Sequence, residues 1–252
     1  MNLREMKNTL QQPPRILIFG VTGTGKSTFA TSAPDPFYID IEKTLVILGK
    51  GDIPHISGMK ETNGNIRNLK FEDIVDTLEH ILSSDYGFKT LVVDSIDGLD
   101  DIVVEYTLRK NKWDKMDWTS YGAKYDAKTA NWNVIFNLLD LIWSQKNMCI
   151  LCIGHSKIKM MNEPNLPSYN AYMLNLDDKQ LIYISKNFDV VSFVDIKKFA
   201  SQDGNKVQTS TTEERVMHLH PHPAYLSTKT RYKAMPATLP LDWNVFVKYL
   251  SN

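Results

Sequence analysis

The stretch from Arg15 to Glu42, RILIFGVTGTGKSTFATSAPDPFYIDIE, constrains the fold more than any other. An apolar run breaks into glycines and hydroxyls, and a second apolar run ends on an acid. Gly20-Val21-Thr22-Gly23-Thr24-Gly25-Lys26-Ser27 keeps the spacing G-x-x-x-x-G-K-[ST], with the strand-like RILIF before it and STFATSA after it, fit to open a helix. Glycines admit positive φ, so successive backbone N–H groups can converge on phosphate oxygens. A helix beginning at the lysine adds the partial positive charge of its N-terminus. The pattern predicts a nucleoside triphosphate site built from Gly20, Thr22, Gly23, Thr24, Gly25, Lys26, Ser27 and Thr28. Lys26 would reach the β- and γ-phosphates and Ser27 would be a ligand of Mg²⁺.

Such a loop needs a second, acidic site to hold the metal-bound water. In KTLVVDSIDGL four strand-compatible positions, Thr90 to Val93, lead to Asp94. The carboxyl end of a parallel strand lies beside the loop, so Asp94 is the metal-site carboxylate, with Ser95 next to it. Asp97 and Asp100 are expected to be helix-start or surface acids.

Further apolar runs at 36–41 and 147–153 accompany those at 15–19 and 90–94. Short, fully apolar runs suit buried parallel strands. FEDIVDTLEHILSS and WNVIFNLLDLIWSQ place their apolar residues at helical spacing between these strands. Near the C-terminus, FDVVSFVDIKKF and ERVMHLHP read as a long β-hairpin, followed by a loop and a short helix. The expected architecture is α/β, a mainly parallel sheet flanked by helices with a C-terminal β-hairpin. A polar arm over residues 1–12 would precede one domain over 13–252.

Composition narrows the function classes. Lys+Arg and Asp+Glu both count 29, so no global basic field draws nucleic acid and any such contact needs a local patch. The only cysteines, Cys149 and Cys152, fall three apart on a strand-like run, so they point to opposite faces and read as core thiols rather than a zinc or redox pair. No signal-peptide core and no apolar run of about 18 residues occurs. The expectation is a soluble cytoplasmic protein with no membrane partner.

Four branches of phosphate-loop proteins can be separated by what accompanies the loop. Asn111-Lys112-Trp113-Asp114 carries the letters of a guanine motif, but it sits in the polar run LRKNKWDKMDW rather than after a buried strand. A motor of the extended ATPase superfamily usually has glutamate where Ser95 stands. An arginine-rich lid, as in small-molecule kinases, is not evident.

The remaining branch is the one the chain resembles. PFYIDIE is similar to the strand of RecA and RadA proteins that ends in a catalytic glutamate, LVVDSIDGL to their metal strand, and MCILCIGHSKIK to the strand carrying a γ-phosphate sensor. Lys229-Thr230-Arg231-Tyr232 resembles their K-x-R element, with Thr for Asn and Lys233 for Gly. The compact size looks like the phage-encoded RecA-like ATPases of the single-strand annealing and recombination group. The resemblance implies a RecA-like fold, ATP and Mg²⁺ as cofactors, Glu42 as the residue polarising the attacking water, and His155 as the sensor. It implies that Lys229 and Arg231 act in a neighbouring subunit's site, in a ring or filament.

It further implies single-stranded DNA as partner, with a single-strand-binding protein beside it, and the host cytoplasm as location if a phage encodes the chain. Two basic and aromatic segments are candidates for the DNA loops. One, after the metal strand, includes Lys112, Trp113, Trp118 and Tyr121; the other, after the sensor strand, includes Lys157, Lys159, Tyr169 and Tyr172. Aromatic faces would stack bases while lysines follow phosphates. The alternative is an ATP-gated scaffold or helicase-loader-type protein whose partner is another protein.

Overall fold

The computed structural model describes residues 12–116, 122–203 and 206–250. The arm expected over residues 1–12 lies outside the described residues apart from Gln12, and so do Trp118 and Tyr121.

In chain order the first half contains β1 (Arg15–Gly20), α1 (Lys26–Thr31), β2 (Pro36–Asp40), α2 (Thr44–Ile47), β3 (His55–Ile56), β4 (Met59–Lys60), β5 (Ile66–Arg67), α3 (Phe71–Ser83), β6 (Thr90–Asp94) and α4 (Ile96–Asn111). There follow α5 (Ala123–Lys146), β7 (Cys149–Met161), β8 (Tyr169–Leu174), α6 (Asp178–Ser185), β9 (Val190–Asp203), β10 (Lys206–His218), β11 (Lys229–Thr230), β12 (Thr238–Pro240) and α7 (Trp243–Phe246).

The main sheet runs in the order β12-β10-β9-β1-β7-β6-β2-β3. From β9 to β3 every neighbouring pair is parallel. Strand β7 therefore lies between the loop-bearing β1 and the acid-tipped β6. Strand β10 pairs antiparallel with β9, which is the expected C-terminal hairpin, and β12 adds antiparallel to β10 beyond it.

Both faces of the central sheet are covered, which is why β1, β6 and the first halves of β7 and β9 are almost wholly buried and mostly apolar. Leu17 and Phe19 face a layer that includes Ile74, Leu78, Val103, Trp132, Ile135 and Leu181 of α3 to α6. Ile16 and Ile18 face the other layer, with Phe29 of α1 and Trp243 and Phe246 of α7. The cysteines divide the same way, Cys149 with the second layer and Cys152 with the first. Complete burial pushes both thiols far up, which keeps them unreactive.

Strand β7 and helix α5 are longer than the sequence expectation. Strand β7 continues past 153 to Met161, and its outer half pairs antiparallel with β8, from Ser156 opposite Leu174 to Met161 opposite Tyr169. The second candidate DNA loop is thus largely a β-hairpin. Helix α5 begins at Ala123 rather than near Trp132, because Lys124, Lys128 and Asn131 are buried and extend its packed face.

Candidate active site

Register gathers the site. Gly20 at the end of β1 lies opposite His155, Ile153 lies opposite Asp94, and Asp94 lies opposite Asp40 at the end of β2. The carboxyl ends of β1, β6 and β2 thus meet the middle of β7 along one edge, where open α/β sheets place their ligands. Gly20 must lack a side chain, because a Cβ there would come 2.2 Å from the carbonyl oxygen of Val194 on β9. The loop turns through Gly23 at φ 83° and Gly25 at φ 91°, the left-handed region.

Thr22, Gly23, Gly25, Lys26, Ser27 and Thr28 border a cleft of about 350 Å³, and Glu42, Asp94 and His155 border it from the neighbouring strands. Thr24 is buried beneath the loop, where its hydroxyl donates to the Val21 carbonyl at 2.9 Å. Lys26 Nζ donates to the carbonyls of Gly20 and Val21 at 3.0 and 2.9 Å. Burial lowers the affinity of Lys26 for its proton, against the pull of the Asp94, Asp97 and Glu42 carboxylates. The amine is therefore held inside the loop, close to where an anion would dock.

Ser27 Oγ and Thr44 Oγ1 both donate to Asp94 Oδ2 at 2.8 Å. Thr44 Oγ1 also lies 3.0 Å from Asp40 Oδ1, so a single hydroxyl proton sits between two carboxylates. Asp40, fully buried, takes the backbone N–H groups of Thr44 and Leu45 and so fixes the start of α2. Burial pushes Asp94 up to about 6; the two hydroxyls oppose this, and the charges of Glu42 and Asp40 add to it. A hard divalent cation takes hydroxyl and carboxylate oxygens of this kind, so Ser27 and Asp94 fit a Mg²⁺ position.

Glu42 enters from the turn after β2. Its Oε1 accepts from Ser95 Oγ at 2.5 Å and lies 3.3 Å from His155 Nδ1. The same Ser95 hydroxyl accepts the Gly98 N–H at 3.1 Å as the N-cap of α4, which fixes the direction from which it holds Glu42. Asp97 is not a bystander at the helix start. Its Oδ2 is 2.8 Å from His155 Nδ1 and its Oδ1 takes the His155 backbone N–H at 3.0 Å. That hydrogen bond raises His155 against the effect of burial, and the Asp97 carboxyl, though pushed up by burial, is held below its usual range by His155. Ligand atoms of Glu42, Asp97 and His155 all lie within 4.8 Å of one another, a spacing that could also close on a cation. Asp100 is no surface acid: it is buried, with Lys128 Nζ and Trp132 Nε1 each 2.8 Å from its oxygens.

Other candidates stand apart from the cleft. Lys229 on β11 pairs with Val191 at the start of β9, and Arg231 bonds Asp189 Oδ1 at 2.9 Å. Asp189 also takes the N–H of Arg15, the first residue of β1, so this cluster marks the amino end of the sheet. The length of β1 puts it about 16 Å from the loop. Lys112 ends α4 and Trp113 follows it, with Lys124 Nζ 5.7 Å from the Trp113 ring centroid. The helix carries them about 24 Å from Ser95. Lys157 and Lys159 lie on the β7–β8 hairpin just beyond His155, bonded to the Leu176 carbonyl and to Asp178, each at 2.5 Å. Helix α5 runs between the two candidate DNA segments, since Lys124 faces Trp113 and Lys128, one turn on, bonds Asp177 at 2.7 Å, next to the Asp178 that holds Lys159.

Sequence reasoning missed Asp40, Thr44, the partnership of Ser95 and Asp97 with Glu42 and His155, and Arg215, which borders the cleft from β10. Thr44 carried no standard capping signal, because the N-cap position is Lys43 and the carboxylate that meets Thr44 is Asp40 at the end of β2. Arg215 had no local signal either, because only strand pairing brings it near the loop.

A family model described as an AAA domain matches residues 12–232. No curated protein matches the chain. Among solved structures, one described as the crystal structure of the RadB recombinase is similar over 91% of this chain and 87% of its own, with a TM-score of 0.42 and 12% identity. Among the described residues no helix is long and apolar enough to cross a membrane.

Proposed function

The chain belongs to the AAA domain family, and on that footing we propose that it is a Mg²⁺-dependent ATPase of the RecA-like type, acting on single-stranded DNA in recombination or strand annealing. The observation that carries this is the meeting of Ser27, Asp94 and Glu42 around one cleft at the phosphate loop. Lys26 exchanges the Gly20 and Val21 carbonyls for phosphate oxygens when nucleotide binds. Ser27 and Asp94 hold Mg²⁺, which when bound neutralises charge on the β- and γ-phosphates. Glu42, held by the Ser95 hydroxyl, accepts the proton of the attacking water. His155, positioned by Asp97, donates toward the γ-phosphate.

Lys229 and Arg231 serve a neighbouring copy on this account, since they lie at the far end of their own sheet. ATP is then sandwiched between subunits of a ring or filament. The hairpin formed by β7 and β8 continues directly from the sensor position, which supports it as the element that couples nucleotide state to DNA. Lys157 and Lys159 would meet phosphates there, and Lys112 and Trp113 a second stretch of strand. The test is hydrolysis with and without single-stranded DNA at low and high salt. DNA stimulation that disappears with added salt supports the account, and hydrolysis indifferent to DNA at both salt concentrations refutes its DNA part.

One observation favours the second reading, a scaffold or loader with a protein partner. The same hairpin leaves Ile158 at 65% and Met160 at 61% exposure, while its lysines already have partners within the chain. Assembly with ATP and a partner protein, without any DNA effect, supports that alternative.

A further inference from the structure

Arg215 and the segment Leu241–Asn244 have no part in the account above. Arg215 follows a register shift between β9 and β10 that separates it from Thr211. Irregularities of this kind redirect the side chain next to them. The side chain lies against the phosphate loop: a Cβ on Gly25 would come 2.8 Å from Arg215 Cδ and 3.1 Å from its Nε. Lys197 and Glu214 beside it pair with each other, whereas the Arg215 guanidinium has no ion pair among the described residues.

A second cavity, of about 300 Å³, adjoins the phosphate cleft, and the two share Gly25, Thr28 and Arg215. Its far wall is formed by Ser32, Leu241, Asp242, Trp243 and Asn244. That wall is anchored to the loop's own helix, because the Trp243 ring packs on Phe29 of α1 at 5.4 Å and Phe246 closes on Phe29 at 5.9 Å. It is tied to Arg215 as well, whose carbonyl takes the Leu241 N–H at 2.9 Å. Asp242 Oδ1 accepts the N–H groups of Asn244 and Val245, and Oδ2 has no partner among the described residues.

We propose that this second cavity holds the nucleoside of the triphosphate whose phosphates occupy the loop, with Arg215 as a cation spanning the junction in the same chain. The proposal rests on the nucleotide reading of the loop. A phosphate chain cradled by the loop has to leave the cleft somewhere. The side lined by Glu42 and His155 must stay open to water, which leaves the side past Gly25 and Thr28. There the ligand meets what a nucleoside requires: apolar surface from Leu241 and the indole of Trp243 for a planar base, and Asp242 and Asn244 for ribose hydroxyls or an exocyclic amine. Each cavity alone is at the lower end of ligand-site volumes, and the two joined suit a whole nucleotide.

Calorimetric titration with Mg²⁺ and either ADP or inorganic tripolyphosphate separates the two halves of the ligand. Asn244→Trp fills the second cavity, and it should weaken ADP at least tenfold while changing tripolyphosphate less than twofold. Arg215→Ala should weaken both at least threefold, and Arg215→Lys should regain part of each. Equal effects of Asn244→Trp on the two ligands, or Arg215→Ala binding within twofold of wild type, would overturn the proposal while leaving the phosphate loop's role intact. Wild-type protein that binds neither ligand would instead overturn the nucleotide reading, and this proposal with it. Melting temperatures of the variants confirm that folded protein was titrated.

Discussion

Asp94 holds a charge that the unliganded fold would be better without, and Asp94→Asn makes this measurable. The carboxyl is 1% exposed, and burial first of all pushes it from 3.8 up to about 6. A carboxyl raised on folding contributes stability that is fully present below its unfolded value and is lost as pH rises from there through about 6. Roughly two units at about 1.4 kcal/mol each make the ionised group cost about 3 kcal/mol at pH 7. The amide keeps both hydroxyl bonds, since Ser27 and Thr44 donate to one and the same oxygen. Its new N–H₂ group, facing no assigned acceptor, costs about 1–2 kcal/mol. A net gain of about 1–2 kcal/mol, or ~2–8 °C in melting temperature for a chain of this size, is expected at pH 7 without metal or nucleotide. Unfolding in urea with a chelator at pH 7 and pH 5 tests it. The wild type should recover about 1 kcal/mol relative to the variant at pH 5. With Mg²⁺ and nucleotide at a hundredfold over Kd the order reverses, because the wild type gains about 3 kcal/mol that the variant cannot. A variant less stable than wild type at pH 7, or a gap that does not narrow on acidification, refutes the reasoning.

Other perturbations probe other parts of the account. Lys128→Met removes the cation that bridges Asp100 and Asp177 at 2.8 and 2.7 Å, leaving the buried carboxylate of Asp100 uncompensated; urea unfolding should show a loss of about 3 kcal/mol. Gly20→Ala drives a Cβ against the backbone of Val194 and should cost about 3 kcal/mol in the same assay, with nucleotide binding reduced in whatever protein folds. Arg231→Ala should bind ATP yet hydrolyse it slowly. Mixing it with Lys26→Ala subunits should restore activity, because a mixed interface joins an intact loop to an intact Arg231; no restoration between assembled variants contradicts action on a neighbouring copy.

The loop and the strands bearing it were legible because each signal was local. Gly20 to Ser27 forms one contiguous motif, and the apolar runs ending at Gly20 and Asp94 became β1 and β6 almost residue for residue. Helix α3 likewise follows its apolar spacing from Phe71 to Ser83. Beyond His155, lysines alternating with Ile158 and Met160 carry the period of a strand, yet their polarity reads as loop, and β7 was foreshortened. Ser95 illustrates a different limit. Its identity counted against a motor ATPase of the extended superfamily, and the family that matches is an AAA domain. In the structure the hydroxyl at this position holds the carboxylate of Glu42, supplied by the neighbouring strand, a relation no spacing along the chain displays. Arg215 was beyond reach for the same reason, since a bulge and a strand register decide where it lies.

The central claim is that Glu42 activates water for hydrolysis of ATP held by the loop. Single-turnover hydrolysis of pre-bound Mg²⁺–ATP by wild type and Glu42→Gln, with binding measured in parallel, tests it most directly. The account predicts binding within threefold of wild type and hydrolysis slowed by roughly 10²–10⁴. Hydrolysis within fivefold of wild type by a variant that binds ATP normally would contradict it.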